Sequence, residues 1–400
     1  MPTRQEVPIN SQILRWARER AQLTPEEASA RAGIRDLRIR GLPAKDRLLI
    51  WESGQEKPTL NELELIAKAY RRPIITFFLP EPPVIQTGLQ DFRTVADRPL
   101  VKTSPEFDAF RRQVEVLQKE VRALVESENR APLEFIGTTT MATHPSTMAE
   151  MIRQKLEFSF VDQQRVRNSD DLFGVLREKA EKLGVFILRK ADLGNWHSRI
   201  TTEEFRGLVI CDRIAPFVVV NPNDAKVAQP FTLIHELVHL WLGESGISSF
   251  NILEARITNY QEREVYCNKA AAELLVPERV FLTYWQRVRT QRLDSAIESL
   301  ATEFKVSRVV VARRLLDLGR VNEEEYWTQY NQWRTEWSDQ SEEQRHEGGG
   351  PSYFINMKSK LGIKLLDTVI KAAYDGKISY GEASKILGIK IDYFAQFYKG

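Results

Sequence analysis

The segment from Phe231 to Leu242 is apolar on nearly every face of a helix, yet it contains His235, Glu236 and His239. A helix that is apolar all round is predicted to lie in a core. Polar side chains placed there carry a desolvation cost unless they have partners. Histidines four residues apart lie on one helix face, so both imidazoles can reach the same metal ion. The pattern therefore predicts a buried helix that carries part of a metal centre.

Chance does not readily produce this pattern. With 5 histidines in 400 residues, about 0.05 pairs at this spacing are expected, and about 0.007 with an acidic residue after the first histidine. Glu236 stands where it can take a proton from a metal-bound water, and zinc lowers the pKa of such a water toward about 7. We therefore predict His235 and His239 as zinc ligands and Glu236 as the catalytic base.

A catalytic zinc site needs a third protein ligand, and no further histidine follows within a hundred residues. The next predicted helix, over 262–275, offers Glu262, Glu264 and Glu273, with Cys267 as a rival thiolate. Glu264 is favoured because Asn268, four residues on, shares its face and is able to hold a ligand imidazole. Glu262, Glu273 and Cys267 remain alternative candidates for the third ligand.

Charge and cysteine content exclude several classes of protein. The formal net charge is only +2, yet residues 31–47 carry six basic and two acidic side chains, whereas residues 322–347 are acidic. Two cysteines exclude a disulfide scaffold or a Cys-rich zinc module and fit a reducing compartment. No apolar run is long enough to span a membrane, and no hydrophobic signal region follows the start. We expect a cytoplasmic protein without membrane contact.

The hydrophobic patterns predict a mainly α fold with a small β-sheet (α+β). Strands are predicted over 184–188, 205–211 and 217–220, followed by helices over 231–242 and 262–275. Residues 105–127 show an a/d apolar spacing that is too short to indicate a coiled coil. A helix packed on its own protein is favoured there, and a homodimer seam is the alternative.

The region from about 184 to 320 resembles the ImmA/IrrE family of zinc metallopeptidases. The resemblance rests on residues 206–210, 217–221, 231–243 and 264–277, and on the later motifs at 304–307 and 314–319. It implies a zincin-like catalytic domain with Glu264 as the third zinc ligand. Asn268 would then hold one of the ligand imidazoles without itself contacting the metal. The resemblance also implies an endopeptidase that cleaves a DNA-binding repressor or antitoxin-like protein and so releases stress-response, mobile-element or phage genes.

The N-terminal helices resemble an XRE-type helix-turn-helix domain, through motifs at 14–21, 23–27, 51–54, 57–60 and 66–70. Such a domain places its second helix in the major groove of DNA. Between Gly33 and Trp51 the chain is longer than is usual there, so we expect the recognition helix to start near Pro43. A protein-docking role without DNA binding is the alternative. The basic side chains expected to contact DNA are Arg35, Arg38, Arg40, Lys45 and Arg47.

Together these patterns predict five segments. They are a helix-turn-helix domain (1–80), an extended linker (81–104), a helical connector (105–165), a metallopeptidase domain with trailing helices (166–345) and a small C-terminal helical domain (351–400). Tyr260, Tyr266, His197 and Arg263 are candidates for stabilising an oxyanion. An alternative hypothesis is a DNA-binding regulator or antitoxin in which the peptidase fold is only an interaction scaffold. The retained Glu236 argues against that alternative.

Overall fold

The structure is a computed structural model that describes residues 6–36, 42–83, 90–91, 103–194, 198–248, 259–343 and 353–397. The chain divides into two compact units. The first comprises residues 1–87, 101–114 and 192–200, and the second comprises 88–100, 115–191 and 201–400. No helix in the described ranges combines the length and the apolar composition needed to cross a membrane.

The first unit is built from short helices whose ends are set by local sequence. Its helices are α1 (Ser11–Arg20), α2 (Pro25–Arg31), α3 (Ala44–Ser53), α4 (Leu60–Ala69), a 3-10 turn (Ile74–Phe78) and the start of α5 (Pro105–Ser127). Thr24 and Glu27 form a capping box at the start of α2, which satisfies backbone N–H groups there. The helix expected near Pro43 begins at Ala44.

A small core holds these helices together. Its members are apolar side chains at helical spacing that are almost completely buried, including Ile13, Leu14, Leu48, Trp51, Leu63, Ile66 and Phe77. A bidentate ion pair joins α1 to α3, with Arg18 Nε and Nη2 donating to the two carboxylate oxygens of Glu52 over 2.7 and 2.8 Å. Bidentate geometry fixes the relative orientation of the two helices better than a single contact does.

The second unit contains the remaining helices and the sheet. Its helices after α5 are α6 (Pro145–Lys155), α7 (Phe160–Arg165), α8 (Ser169–Leu183), α9 (Gln229–Leu242), α10 (Asn259–Leu275), α11 (Glu278–Val288), α12 (Leu293–Phe304), α13 (Arg308–Asp317), α14 (Glu323–Glu343), α15 (Tyr353–Leu361), α16 (Ile363–Tyr374), α17 (Tyr380–Leu387) and α18 (Phe394–Phe397). A 3-10 turn (Ile391–Tyr393) precedes α18. Helix α15 packs against strand β2, and α16 packs against both α8 and β2.

Within the described ranges, five strands form one mixed sheet in the order β1-β5-β3-β4-β2. The strands are β1 (Gln90–Asp91), β2 (Phe186–Arg189), β3 (Gly207–Ile210), β4 (Phe217–Val220) and β5 (Gly246–Ser248). Strand β3 runs antiparallel to both β4 and β5, whereas β2 and β1 pair in parallel with β4 and β5. The three predicted strands are present, and the mainly α fold with a small sheet is confirmed.

Helix α9 lies on one face of this sheet and packs against β3, β4, α8 and α10. Alternation along the strands turns Val209, Val218 and Val220 toward the same apolar core as Ile234 and Leu237 of α9. The helix is therefore surrounded by apolar groups on most sides, as its composition predicts. This packing fixes the positions of the polar side chains that α9 carries.

The C-terminal end of α9 is held by a segment far upstream in sequence. The backbone N–H groups of Gly137 and Thr139 donate to the carbonyls of Leu240 and Trp241, over 3.0 and 3.1 Å. The ring of Phe135 lies 4.3 Å from that of Trp241, centroid to centroid. Carbonyls in the last turn of a helix have no partner within it, so this segment completes the hydrogen bonding of the end of α9.

Candidate metal centre

Helix α9 brings His235, Glu236 and His239 together in the core. Their relative exposures are 4, 0 and 0 %. The Nε2 atoms of His235 and His239 lie 3.2 Å apart, so both imidazoles point toward the same place, as the spacing of four residues predicts.

Helix α10 supplies a carboxylate at this same place. Glu264 is 1 % exposed, and its Oε2 and Oε1 lie 3.2 Å from the Nε2 atoms of His235 and His239, respectively. The ligand atoms of these three residues all lie within 4.8 Å of one another. Neither oxygen of Glu264 accepts a hydrogen bond from any described residue.

The spacing of these atoms fits a tetrahedral metal ion. Ligand bonds of about 2.0 Å place neighbouring ligand atoms of a tetrahedral zinc about 3.3 Å apart. The two Nε2 atoms lie 3.2 Å apart, which agrees with that value, and each oxygen of Glu264 lies 3.2 Å from one of them. A negative carboxylate buried without hydrogen bonds also needs a cation nearby. The residues present therefore fit a divalent metal with two nitrogen ligands and one oxygen ligand.

The two imidazoles strongly affect the ionisation of Glu264. Burial by itself would raise the pKa of this carboxyl group, because it disfavours the charged form. His235 and His239 outweigh that effect and lower the pKa of Glu264 to about 2. The carboxylate is therefore ionised at neutral pH, which is the form that binds a metal ion.

Asn268 fixes the orientation of His235. The Oδ1 atom of Asn268 lies 3.0 Å from the Nδ1 atom of His235. An amide oxygen only accepts hydrogen bonds, so Nδ1 carries the proton and Nε2 keeps its lone pair for a metal. Ser248 of β5 lies on the other side of this ring, with its hydroxyl 3.5 Å from Nε2.

A second acidic side chain, Glu244, lies behind His239. Its Oε2 atom is 3.7 Å from His239 Nδ1, and its Oε1 atom forms an ion pair with Arg263 Nε at 3.1 Å. The sulfur of Cys267 is 3.8 Å from the same Nδ1 atom. Burial disfavours the charged imidazole, but Cys267, Glu244 and Glu264 together raise the pKa of His239 well above its ordinary value.

Glu236 is fully buried between α9 and the sheet. Neither of its carboxylate oxygens has a hydrogen-bond partner among the described residues. Burial raises the pKa of this carboxyl group, because removal from water disfavours the anion. A carboxylate with a raised pKa is a stronger base than one in solvent, which suits a group that accepts a proton from water.

The other candidate ligands are placed elsewhere. Glu262 is exposed on α10, and Glu273 is paired with Arg314 and accepts from the backbone N–H of Glu278. Burial raises the pKa of Cys267 to about 11, so the group is a neutral thiol rather than a thiolate. The structure thus groups Glu264, rather than Glu262 or Glu273, with the two histidines.

The two described candidates for an oxyanion group, Tyr266 and Arg263, have partners of their own. The hydroxyl of Tyr266 donates to the carbonyl of Thr143 at 2.8 Å, and Arg263 is paired with Glu244. The side chain of Tyr260 and all of His197 lie outside the described residues.

The basic side chains expected to contact DNA have different environments in the first unit. Arg35 and Lys45 are exposed, and Lys45 lies 3.2 Å from Glu26. Arg47 was expected to face a DNA groove, but it is only 6 % exposed. Its guanidinium is bound to Glu62 of α4 and to the carbonyl of Arg35, and these contacts bury the side chain. Arg38 and Arg40 lie outside the described residues.

Comparison with known proteins gives one family. Residues 180–316 match the Peptidase_M78 family model, described as the IrrE N-terminal-like domain. The match covers about a third of the chain and includes α9, α10 and every residue grouped at the metal centre. No curated protein matches the chain. The match supports a metallopeptidase of the IrrE type for this region.

Proposed function

We propose that this chain is a zinc-dependent, site-specific endopeptidase that cleaves a repressor or antitoxin-like protein and binds DNA through its N-terminal unit. The observation that carries the enzymatic part is the grouping of His235, His239 and Glu264 beside the buried, unpartnered carboxylate of Glu236. A protein that uses this fold only as a scaffold has no need of a charged group there, because burial of an unpartnered carboxylate reduces stability.

The donor set favours zinc. Two imidazoles and one carboxylate are the ligands of several catalytic zinc sites, which leave a fourth position for water or substrate. When bound by these residues, zinc would polarise the peptide carbonyl and lower the pKa of the attacking water. Calcium and magnesium prefer sites made entirely of oxygen ligands.

Glu236 is assigned the proton transfers of peptide hydrolysis. Its carboxylate takes a proton from the attacking water as the new C–O bond forms. It then gives this proton to the departing amine nitrogen as the C–N bond breaks. General acid–base catalysis of this kind typically contributes about 10²- to 10⁴-fold to the rate.

The depth of the site favours an extended protein segment as substrate. The side chains of the three ligands are at most 5 % exposed. A rigid convex surface cannot reach groups at that depth, whereas an extended linker or unfolded segment can. This supports cleavage at one accessible segment of a target protein rather than general degradation.

The proposal of DNA binding rests on the local charge and the helices of the first unit. Residues 31–47 carry a charge of +4. This stretch runs from the end of α2 into the start of α3, and these two helices pack against each other. Of the basic side chains expected to contact DNA and described by the structure, Arg35 and Lys45 are exposed and can contact phosphates. Repressor control and a role in stress response or toxin–antitoxin regulation follow from the proposed substrate.

Metal analysis tests the site. Purified wild-type protein is expected to contain one zinc per chain, and Glu264→Ala is expected to lose it. Glu262→Ala is the matched control, since Glu262 is exposed on the same helix. Wild-type protein without stoichiometric zinc, or equal zinc in Glu264→Ala, would contradict the assignment.

Cleavage is tested by mapping new protein N-termini in cells that express wild-type protein or Glu236→Gln. The Gln variant is expected to keep its zinc and to lose cleavage, because an amide cannot accept the proton. One or a few new N-termini in the wild type alone would support a site-specific endopeptidase. Many unrelated N-termini, or none, would exclude it.

A further inference from the structure

Gly207 is the first residue of β3, in the middle of the sheet. It pairs with Val220 of β4 on one side and with Ser248 of β5 on the other. Alternation along β3 gives Gly207 and Val209 the same face, which is the face that α9 covers. This position therefore lies directly opposite the helix that carries the metal ligands.

The side chain of Glu236 occupies the space beside Gly207. A Cβ atom built on Gly207 would lie 2.1 Å from Oε1, 2.6 Å from Cδ and 2.7 Å from Cγ of Glu236. These distances are far shorter than the 3.5–4.0 Å of favourable carbon contacts. The whole outer half of the Glu236 side chain, and not only its tip, would have to move.

The backbone conformation does not explain a glycine here. Gly207 lies in a regular strand with a φ outside the left-handed region, which any residue can adopt. Glycine in a strand interior weakens the strand, and it often marks a place where another group approaches closely. At Gly207 the approaching group is the carboxylate of Glu236.

We propose that Gly207 is a positioning residue that sets the location of the Glu236 carboxylate over the sheet. The inference rests on the proposed function, because it assigns a purpose to Glu236. Any side chain at position 207 would displace the carboxylate from the strand. The three atoms nearest to that Cβ all belong to Glu236 rather than to the zinc ligands His235, His239 and Glu264, and we expect the variant to keep its zinc.

The contact is tested by a double-mutant cycle on thermal stability. Gly207→Ala is expected to lower the unfolding midpoint by at least ~2 °C in the wild-type background, because of the overlap with Glu236. In the Glu236→Ala background the same change is expected to have little or no effect, because the space is then empty. Gly174→Ala is the control, since a Cβ on Gly174 meets no atom within 4 Å. An equal fall in both backgrounds would overturn the contact.

The catalytic consequence is tested in the same variant. Gly207→Ala is expected to keep one zinc per chain and an unchanged KM, while kcat for the substrate segment found by N-terminal mapping falls about 10²-fold, the cost of roughly 1 Å of misplacement. A Gly207→Ala variant as active as the wild type would overturn the inference. Failure of the proposed function is distinguishable, because it appears as absent zinc or absent cleavage in the wild type itself.

Discussion

Replacing Asn268 by leucine should weaken zinc binding without removing any metal ligand. The Oδ1 atom of Asn268 accepts a hydrogen bond from His235 Nδ1 at 3.0 Å, and leucine has a similar size but no acceptor. The imidazole then keeps a partly buried N–H group without a partner. Its ring is also free to rotate away from the position in which Nε2 faces Glu264.

The size of the effect follows from that one hydrogen bond. A buried donor left without its partner costs about 1–3 kcal/mol. Partners behind metal ligands typically contribute about 10- to 100-fold in metal affinity, which corresponds to about 1.4–2.8 kcal/mol. We therefore expect Asn268→Leu to raise the Kd for zinc by 10- to 100-fold. Competition with a chromophoric chelator of known affinity measures this Kd directly.

Two further variants make the reasoning refutable. Asn268→Asp keeps an acceptor at the same place, so its Kd should stay within about threefold of the wild type. Lys269→Ala, at the exposed next residue of α10, should leave the Kd unchanged. If Asn268→Leu binds zinc like the wild type, the orienting role is wrong. If Asn268→Asp is as weak as Asn268→Leu, the amide nitrogen rather than the oxygen contacts His235.

Three other outcomes are expected. Zinc affinity should fall by about tenfold per pH unit as the pH drops below the raised pKa of His239, because protons then compete with zinc for the imidazole. A chelator titration from pH 8 to 5 in which the zinc affinity does not change with pH would contradict this. Arg47→Ala should lower the free energy of unfolding of the first unit by about 2–3 kcal/mol, because it removes the cation that pairs with the partly buried Glu62. Lys45→Ala, at an exposed ion pair, should change it by less than about 0.5 kcal/mol; equal effects in urea denaturation would refute the distinction. Arg35→Ala and Lys45→Ala should each weaken DNA binding and reduce the salt slope by about one, and an unaltered slope would remove them from the interface.

Much of the catalytic region can be read from the sequence because its signals are local. His235, Glu236 and His239 lie within one turn of an apolar helix, so the helical period alone brings them together. Glu264 could be ranked above Glu262 because Asn268 shares its face, and the observed contact of Asn268 with His235 has the form expected from that spacing.

Other features depend on contacts between distant segments and carry no local signal. The described residues of strand β5 number three, too few to show an alternating pattern. Glu244 reaches His239 because Gly243, in the left-handed region, turns the chain back at the end of α9. Arg47 looks like an exposed basic side chain in the sequence, and only the packing of α3 beside Glu62 buries it.

The segment 135–139, which completes the hydrogen bonding at the end of α9, limits how short an independently folding catalytic fragment can be. Residues 135–139 supply hydrogen bonds to the last turn of the ligand-bearing helix, and α6 packs along α10, where Arg153 Nε donates to the carbonyl of Leu274 at 2.9 Å. Both lie outside residues 180–316. A fragment cut at the edges of the family match would leave α9 and α10 with an uncovered apolar surface, so an autonomous catalytic fragment must begin before residue 135.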